Sequence, residues 1–457
     1  MRIVCTIVGL ISFALVFSAK FESSNSNNFF NVSIAQEKEK RKKPRTVKVQ
    51  AMKKPTFERL TAAQEAIELK DYITADQKLR EGLADEKTNE YEKASIWMTF
   101  AYLYAEQENY NGAIQSFRNA VNLSDPDRGI GLPRGQVLST KYNLGQLYMV
   151  VERYRDAISI LEEWRAQVEN VNGNGLILLG NAYFQIERYR TTIPLVIEAI
   201  DLQTRLIANY IPPENPDETE TTGSKPKHRE PWYQLLLASY LELEDYNNGA
   251  DLLEVIVNLF PNKKNYFMQL AALYGELGKD EQSFAVLVMA DKQGFLTEEK
   301  ELVRLARMYM FHETPIKGAE IMNRGFNAKS VKRTPEHLEV LANAYFNSRE
   351  FDKAIPPLRE AARKSDKGQL SYRLGQAYLQ SEKWSDAEKA LKASLKKKGL
   401  KDKDKGMIWM LTGISQLERE RYKAAKNSMF RAIKFKNTKK DAEKWIRFLD
   451  QKIATSG

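Results

Sequence analysis

Three histidines are the side chains of this sequence best suited to holding a transition metal or moving a proton near neutral pH. They are His228, His312 and His337. A protein zinc site needs several His, Cys or carboxylate ligands at a characteristic spacing. None of the three histidines has a partner at such a spacing. We therefore interpret all three as surface or packing residues and predict no metal site.

Phosphate-binding and nucleophilic motifs give no stronger signal. Gly129-Ile130-Gly131 and Gly173-Asn174-Gly175 are short, and neither is followed by the Lys–Ser/Thr pair of a phosphate-binding loop. No serine stands in the Gly-x-Ser-x-Gly order of a hydrolase nucleophile. The abundant Asp and Glu residues are best explained as solvated helix surfaces with i,i+4 pairs. The sequence predicts no catalytic residue and no cofactor, and favours a protein that is not an enzyme.

The clearest pattern in the chain is a pair of apolar helical faces separated by a short polar break. The two faces consist of Leu374, Gly375 and Tyr378, and then of Trp384, Ala387 and Leu391. Spacings of three, four and seven residues predict two amphipathic helices joined by a tight turn. Gly375 and Ala387 are small where the helices would cross, so the two backbones can approach closely.

This pattern recurs along the chain. An aromatic residue at the turn and a small residue three positions later define six clear units and four weaker ones. The clear pairs are Tyr72/Ala75, Tyr110/Ala113, Tyr154/Ala157, Phe351/Ala354, Trp384/Ala387 and Tyr422/Ala425, and the weaker pairs are Tyr189/Thr192, Tyr246/Gly249, Asp280/Ser283 and Pro315/Gly318. Ten units in phase resemble the tetratricopeptide repeat, a helix–turn–helix of about 34 residues. Residues 97–120 follow its pattern almost in full.

This resemblance implies the fold. Hairpins that each pack only on their neighbours would form an all-α, right-handed solenoid of about ten units. An amphipathic segment from Thr438 to Thr455 lacks a partner helix, and we predict that it caps the C-terminal end. The first helices of the hairpins would line a concave groove.

Groove positions in this family include the residue after the small Gly or Ala of the first helix and those three and four further on. Amides and aromatic rings at these positions suit the binding of an extended peptide. Asn is also frequent at such positions whatever the repeat binds. The candidate partner-binding residues are Gln146, Asn181, Phe184, Gln185, Arg307, Phe311, Asn343, Phe346, Asn347, Gln376 and Gln380.

Charge is distributed unevenly around a net value of +10. Residues 36–54 hold nine Lys/Arg against two Glu, and residues 389–444 hold eighteen Lys/Arg against six acidic residues. Residues 55–388 hold 39 basic and 50 acidic residues, so this middle part is acidic. The distribution argues against a nucleic-acid partner. It is consistent with solvated basic ends, or with steering toward an acidic partner or an anionic membrane surface.

The N-terminus predicts export. Met1-Arg2 precedes an apolar run from Ile3 to Phe17, which is short for a membrane span and suits a secretory signal. We predict cleavage after Ala35, and an uncleaved inner-membrane anchor is the alternative. Cys5, the single cysteine, lies in this segment, so removal of the segment would leave no thiol.

Composition then predicts a domain order. Residues 1–35 are a signal peptide, 36–56 a basic flexible arm, and 57–202 repeats 1–4. Residues 203–231 form a Pro-rich mobile loop, 232–437 carry repeats 5–10, and 438–457 form the capping helix and tail.

The order of the units carries a second resemblance. Lys70-Asp71-Tyr72, Gly180-Asn181-Ala182-Tyr183 and Ala354-Ile355-Pro356-Pro357-Leu358 occur in a fixed sequence with a basic arm and a secretory start. This order is similar to that of periplasmic tetratricopeptide proteins of Gram-negative bacteria, which are often encoded beside TonB, ExbB and ExbD. The resemblance implies a non-enzymatic accessory of TonB-dependent uptake of iron complexes. Its groove would hold a segment of an envelope protein, and its arm would lie near the inner membrane. A scaffold for cell-wall or outer-membrane assembly, using the same groove, is the alternative hypothesis.

Overall fold

The structure is a computed structural model that describes residues 50–211 and 225–455. This part of the chain contains 21 helices and no strand. Twenty of the helices form ten hairpins and the last one stands alone, which confirms the predicted all-α solenoid. The predicted signal peptide and most of the predicted basic arm lie outside the described residues.

The chain divides into two compact units, Met1–Pro261 and Asn262–Gly457. Hairpins 1 to 5 belong to the first unit and consist of α1 (Lys54–Glu68) and α2 (Tyr72–Ala84), α3 (Glu90–Glu106) and α4 (Tyr110–Asn122), α5 (Arg134–Val150) and α6 (Tyr154–Gln167), α7 (Gly173–Gln185) and α8 (Tyr189–Ala208), and α9 (Glu230–Glu242) and α10 (Tyr246–Leu259). Hairpins 6 to 10 belong to the second unit and consist of α11 (Lys264–Glu276) and α12 (Asp280–Lys292), α13 (Glu299–Phe311) and α14 (Pro315–Asn327), α15 (Pro335–Asn347) and α16 (Phe351–Lys364), α17 (Gly368–Gln380) and α18 (Trp384–Ser394), and α19 (Asp402–Leu417) and α20 (Tyr422–Ala432). The single helix α21 (Lys439–Thr455) follows.

Small residues set the approach of the two helices within a hairpin, as the sequence predicts. Ala387 of α18 is fully buried, and Gly375 of α17 faces Leu391 of the same hairpin. Gly145 faces Leu161 in hairpin 3 in the same way. Leu161 and Leu391 are both fully buried. The glycines therefore leave room for leucines that fill the space between the helices.

Polar residues at the small position are accommodated by hydrogen bonds across the hairpin. The Thr192 hydroxyl donates to the Gly180 carbonyl at 3.1 Å, and the Ser283 hydroxyl donates to the Ala271 carbonyl at 2.7 Å. Both hydroxyls are buried. Because a buried hydroxyl with a partner carries little penalty, Thr and Ser can replace Ala at this position. The weaker units of the sequence pattern are therefore complete hairpins.

Every hairpin turns through a residue with left-handed backbone geometry. In nine hairpins this residue is Lys70, Glu108, Glu152, Glu187, Glu244, Glu313, Arg349, Glu382 or Glu420, with φ between 54° and 62°. Hairpin 6 has Gly278 at the same place, with φ 68°. The amide that follows bonds back to a carbonyl of the first helix, as Lys279 does to Tyr274 at 2.8 Å. This is a Schellman motif, which ends the first helix and directs the chain into the second.

The first hairpin begins earlier than the sequence predicts. Helix α1 starts at Lys54 because Pro55 lies in its first turn, where a missing N–H costs nothing. The Lys53 amide donates to the buried carboxylate of Glu92 at 2.7 Å. The Asn89 side chain donates to the Ala51 carbonyl at 3.1 Å. The end of the predicted arm is therefore attached to hairpin 2 rather than free.

The segment predicted as a loop, residues 203–231, is partly helical. Helix α8 continues to Ala208, and α9 begins at Glu230. Leu235 and Leu236 of α9 pack against Val196 of α8. Hairpin 5 thus stacks directly on hairpin 4 despite the inserted sequence. The two units divide at Pro261, after hairpin 5, whereas the sequence predicts a division after hairpin 4.

Helix α21 covers the end of the second unit. Its buried residues Ala442, Ile446 and Leu449 pack with Met429 and Ala432 of hairpin 10. Most of its exposed side chains are charged, as a terminal cap requires, although Phe448 is also exposed. Within the two described ranges, no helix combines the length and apolar character needed to cross a bilayer.

Candidate partner-binding surface

The first helices of neighbouring hairpins lie side by side and form what we call the first-helix face of each unit. In the first unit α1 lies beside α3, and α5, α7 and α9 follow one another. In the second unit α13 lies beside α15, and α17 lies beside α19. All candidate residues predicted from the sequence lie on these helices.

The structure leaves each of these candidates at least partly accessible. Gln146, Gln185, Arg307, Phe311, Asn347 and Gln380 are exposed, whereas Asn181, Phe184, Asn343, Phe346 and Gln376 are half-buried. Four of them, Gln146, Asn181, Phe184 and Gln185, belong to the first unit and the rest to the second. They therefore form two separate groups.

Two of the predicted aromatic residues pack within their own hairpins. The ring of Phe184 lies 5.1 Å from that of Tyr189, and the ring of Phe346 lies 5.0 Å from that of Phe351, both edge to face. Phe184 also packs against the buried cluster of Val196, Leu235 and Leu236. These rings stabilise the turn between the helices, so much of their surface is already covered.

Phe311 differs from these rings. It occupies the position that is Gln185, Asn347 or Gln380 in other hairpins, and its side chain is 75% exposed. Among the residues that the structure describes, its neighbouring ring is that of the adjacent His312, at 5.2 Å. Of the other nine hairpins, three have an amide here, five have Glu and one has Val150. An exposed phenylalanine at a position that is otherwise mostly polar is a candidate anchor for a partner.

Phe311 lies at the wall of a cleft of about 570 Å³ in the second unit, which we call the Arg307 cleft. Most of its lining comes from α13, with one residue from α12 and one from α15. The lining residues are Asp280, Glu299, Lys300, Val303, Arg304, Arg307, Met308, Phe311, His312 and His337. Two of the candidates predicted from the sequence, Arg307 and Phe311, therefore line the same cleft. The hairpins before and after them contribute Asp280 and His337.

The basic side chains of the cleft lie along one stripe of α13. Lys300, Arg304 and Arg307 follow at i, i+4 and i+7 and are all exposed. None of them has an ion pair or hydrogen bond to another described residue. Other charged side chains of this region are paired, as Arg324 is with Asp291 and Lys317 with Glu320. The stripe therefore presents three uncompensated cations.

The two acidic side chains of the cleft, Glu299 and Asp280, lie outside the basic stripe. The Glu299 carboxylate accepts from the Lys332 amide at 2.7 Å and lies 3.8 Å from His337 Nδ1. His337 Nδ1 also lies 2.9 Å from the Lys332 carbonyl. Glu299 and His337 thus hold the connection between hairpins 7 and 8. Asp280, at the start of α12, is exposed on the other side.

His312 forms part of the wall. Its ring stacks on Phe284 of α12 with the centroids 4.4 Å apart and the planes within 8°. Its Nε2 atom is buried and has no hydrogen-bond partner among the described residues. Phe284 also contacts Tyr309 edge to face at 5.0 Å, and burial raises the pKa of Tyr309. The interpretation of His312 as a packing residue is consistent with this stack.

Sequence reasoning did not single out Lys300, Arg304 or Asp280. The i, i+4, i+7 spacing of the three cations was available as a signal. No sequence pattern indicates that Asp280 and His337 line the same cleft, because they reach it from the two adjacent hairpins.

Comparison with known proteins supports the repeat assignment. Models of the tetratricopeptide repeat match residues 86–127, which include hairpin 2, and residues 372–437, which include most of hairpin 9 and all of hairpin 10. No curated protein matches the chain significantly.

Similar solved structures include a tetratricopeptide repeat protein from Parabacteroides merdae, with 11% identity, a TM-score of 0.35, and coverage of 64% of this chain and 99% of that one. The MamA protein has 17% identity and a TM-score of 0.33, and covers 44% of this chain and 92% of its own. YrrB, described as a tetratricopeptide repeat protein with an unusual peptide-binding site, has 15% identity and a TM-score of 0.32, with coverage of 47% and 91%. Likeness at this level carries no argument about what this chain binds. The described part of the chain is an all-α solenoid of hairpins, and the segments that contain hairpin 2, most of hairpin 9 and hairpin 10 match the tetratricopeptide repeat.

Proposed function

We propose that this protein is a non-enzymatic scaffold that binds a segment of a partner protein on its first-helix face, with the Arg307 cleft as a principal contact. Tetratricopeptide repeats of this kind are suited to protein binding because stacked helices present long accessible surfaces. The observation that carries the proposal is Phe311. This ring is 75% exposed and lines a cleft with three cations that have no ion-pair partner in the described part of the chain, in a hairpin position where eight of the other nine units have Glu, Gln or Asn.

Within this class, we infer a periplasmic role as an accessory of TonB-dependent uptake of iron complexes. The support is the sequence: the apolar run from Ile3 to Phe17 after a basic start, the basic segment 36–54, and the order of the repeat motifs. On this account the partner is an envelope protein, and the arm contacts the inner-membrane surface peripherally.

Affinity purification from envelope extracts tests the binding function. The informative variant is Phe311→Ser, and the matched control is Phe448→Ser, which removes a ring that is 40% exposed on α21. The wild type and the control should recover the same partner, and Phe311→Ser should recover much less of it. Equal recovery by all three proteins would contradict the role of the cleft.

A second comparison tests the uptake role. A strain lacking this protein should grow poorly when iron is limiting and normally when iron is plentiful. A defect that does not depend on iron, together with sensitivity to cell-wall stress, would instead support the alternative of a wall or outer-membrane assembly scaffold. Purification with and without residues 36–49 tests whether the basic segment contributes to partner recovery, and residues 50–54 are kept because they contact hairpin 2 and begin α1.

A further inference from the structure

The Arg307 cleft has a charge pattern that restricts what can occupy it. Lys300, Arg304 and Arg307 all line it, and none is neutralised by another described side chain. A guanidinium is more weakly hydrated than an ammonium, and Arg can receive a carboxylate through two parallel hydrogen bonds. The centre of the cleft therefore favours an acidic ligand.

The apolar surface of the same cleft lies along the same helix. Val303, Met308 and Phe311 line it together with the Phe284-stacked ring of His312. Phe311 is the most exposed of these, and it lies one helical turn beyond Arg307. An apolar side chain of the ligand would cover it when a neighbouring carboxylate reaches the arginines.

We propose that the Arg307 cleft binds an extended protein segment in which acidic residues stand next to an apolar or aromatic residue. The arginines and Lys300 hold the carboxylates, and Phe311 and Met308 hold the apolar side chain. This inference rests on the proposed function, since it names the ligand chemistry of the same surface.

Nucleic acid fits the cleft less well. Asp280 and Glu299 line its two sides, and these carboxylates repel a continuous row of phosphates. A peptide can place its acidic residues between them, because its charges are confined to particular side chains. Asp280 is exposed in the first turn of α12, and its carboxylate repels the carboxylates of an acidic ligand. It therefore contributes to specificity by limiting where the ligand can place its acidic residues.

Selection from a displayed random-peptide library against the full chain provides the probe. The selected sequences should be enriched in Asp and Glu beside Phe, Leu, Tyr or Trp. One such peptide, labelled with fluorescein, is then titrated by anisotropy against the wild type and its variants. Arg304→Glu and Arg307→Glu should each weaken binding about tenfold or more, and Phe311→Ser about fivefold. Asp280→Asn should strengthen it about twofold to threefold.

The control is Arg447→Glu on α21, which removes the same charge from an exposed position near the strongly basic C-terminal region. It should leave the peptide affinity within about twofold of the wild type, because the recognition is local. Equal weakening by Arg447→Glu and Arg304→Glu would overturn the proposal in favour of non-specific attraction to a basic protein. Tighter binding of a single-stranded oligonucleotide than of the peptide, lost on Arg304→Glu, would also overturn it.

Different experimental results would contradict the scaffold function and the proposed ligand chemistry. If the selected peptides are neutral or basic but Phe311→Ser still abolishes partner recovery, the ligand chemistry is wrong and the scaffold function stands. If no variant in the cleft changes either measurement, both are contradicted. Because all the substituted side chains are exposed, unchanged far-ultraviolet circular dichroism is expected for every variant.

Discussion

A Cβ atom added to Gly375 would lie 2.6 Å from Cγ of Leu391, closer than two carbon atoms can pack. Gly375 is on α17 and Leu391 is on α18, so this contact sets the spacing of the two helices of hairpin 9. Gly145 and Leu161 stand in the same relationship in hairpin 3, with a separation of 2.5 Å. The repeat therefore places its glycine where the second helix inserts a leucine.

Gly375→Ala should destabilise the protein by roughly 1–3 kcal/mol, because the added methyl group must displace the buried Leu391. Gly275→Ala is the matched control: it is also a helical glycine, but nothing lies within 4 Å of the added Cβ. The control should raise stability by about 0.5–1 kcal/mol, as alanine normally does in a helix. Urea unfolding measures both. Equal shifts of the same sign would show that the helices are not this closely packed.

Gly278→Ala should lower stability by about 1 kcal/mol although the added methyl group meets no atom within 4 Å. The whole effect comes from the backbone, which has φ 68° at this turn. Glu152→Gly, at the equivalent turn of hairpin 3, should have the opposite sign because φ there is 57°. Thermal midpoints of the two variants check this. A neutral Gly278→Ala would contradict the left-handed turn.

The Glu360 carboxylate should make stability depend on pH below about 4.5. Hydrogen bonds from Arg333, the nearest at 2.5 Å, lower the pKa of Glu360 to about 2. Because the folded-state pKa lies below the unfolded value of 4.5, the stabilisation is complete above that value and disappears as the pH falls toward 2. Arg333 is about half exposed, and solvent screens its interaction with Glu360. We therefore expect Glu360 to contribute about 1–2 kcal/mol to the free energy of unfolding, less than the full pKa shift would imply.

Urea unfolding of Glu360→Gln and the wild type at neutral and acid pH measures this contribution. The two proteins should differ at pH 7 and converge as the pH approaches 2. Glu443→Gln, which removes an exposed carboxylate on α21, should differ from the wild type by less than about 0.5 kcal/mol throughout. A difference for Glu360→Gln that grows on acidification would contradict the assigned direction of the pKa shift.

Glu388 should be among the most sensitive polar positions of the second unit. Its carboxylate is 7% exposed and accepts from Lys392 and Arg419 at 2.7 Å, Gln416 at 2.8 Å and Arg421 at 3.0 Å. These contacts join α18 to the turn region of hairpin 10. Glu388→Ala leaves two arginines and a buried amide without their partner, and should cost about 3 kcal/mol or more. Asp386→Ala, two residues earlier and half exposed, should cost less than about 1 kcal/mol in the same denaturation experiment.

Much of this fold could be predicted from sequence because each hairpin is a local object. The small residue, the turn aromatic and the intervening polar break lie within about twenty residues of one another, and their helical spacing is read directly. Even the weaker units could be found, although the reason that Thr192 and Ser283 are tolerated is a hydrogen bond to the opposite helix. That bond depends on the packed distance, which spacing alone does not give.

The boundary between the two units and the Arg307 cleft are harder to predict, because both depend on contacts between different hairpins. The packing of Leu235 and Leu236 on Val196 carries hairpin 5 onto hairpin 4, so a Pro-rich insertion did not mark the division between units. The Arg307 cleft combines Asp280 and His337 with α13, and the separation of these residues along the chain carries no periodic signal. Phe184 and Phe346 occupied suitable sequence positions, yet their rings pack against Tyr189 and Phe351.

The most direct test of partner binding on the first-helix face is site-specific photo-crosslinking in the source cell. A photoreactive benzoylphenylalanine is introduced at Phe311 or, as the control, at Met289, which is 49% exposed on the second helix of hairpin 6. We expect a discrete covalent adduct with a partner protein from position 311 and little or none from position 289. An adduct from position 289 with none from position 311 would contradict it.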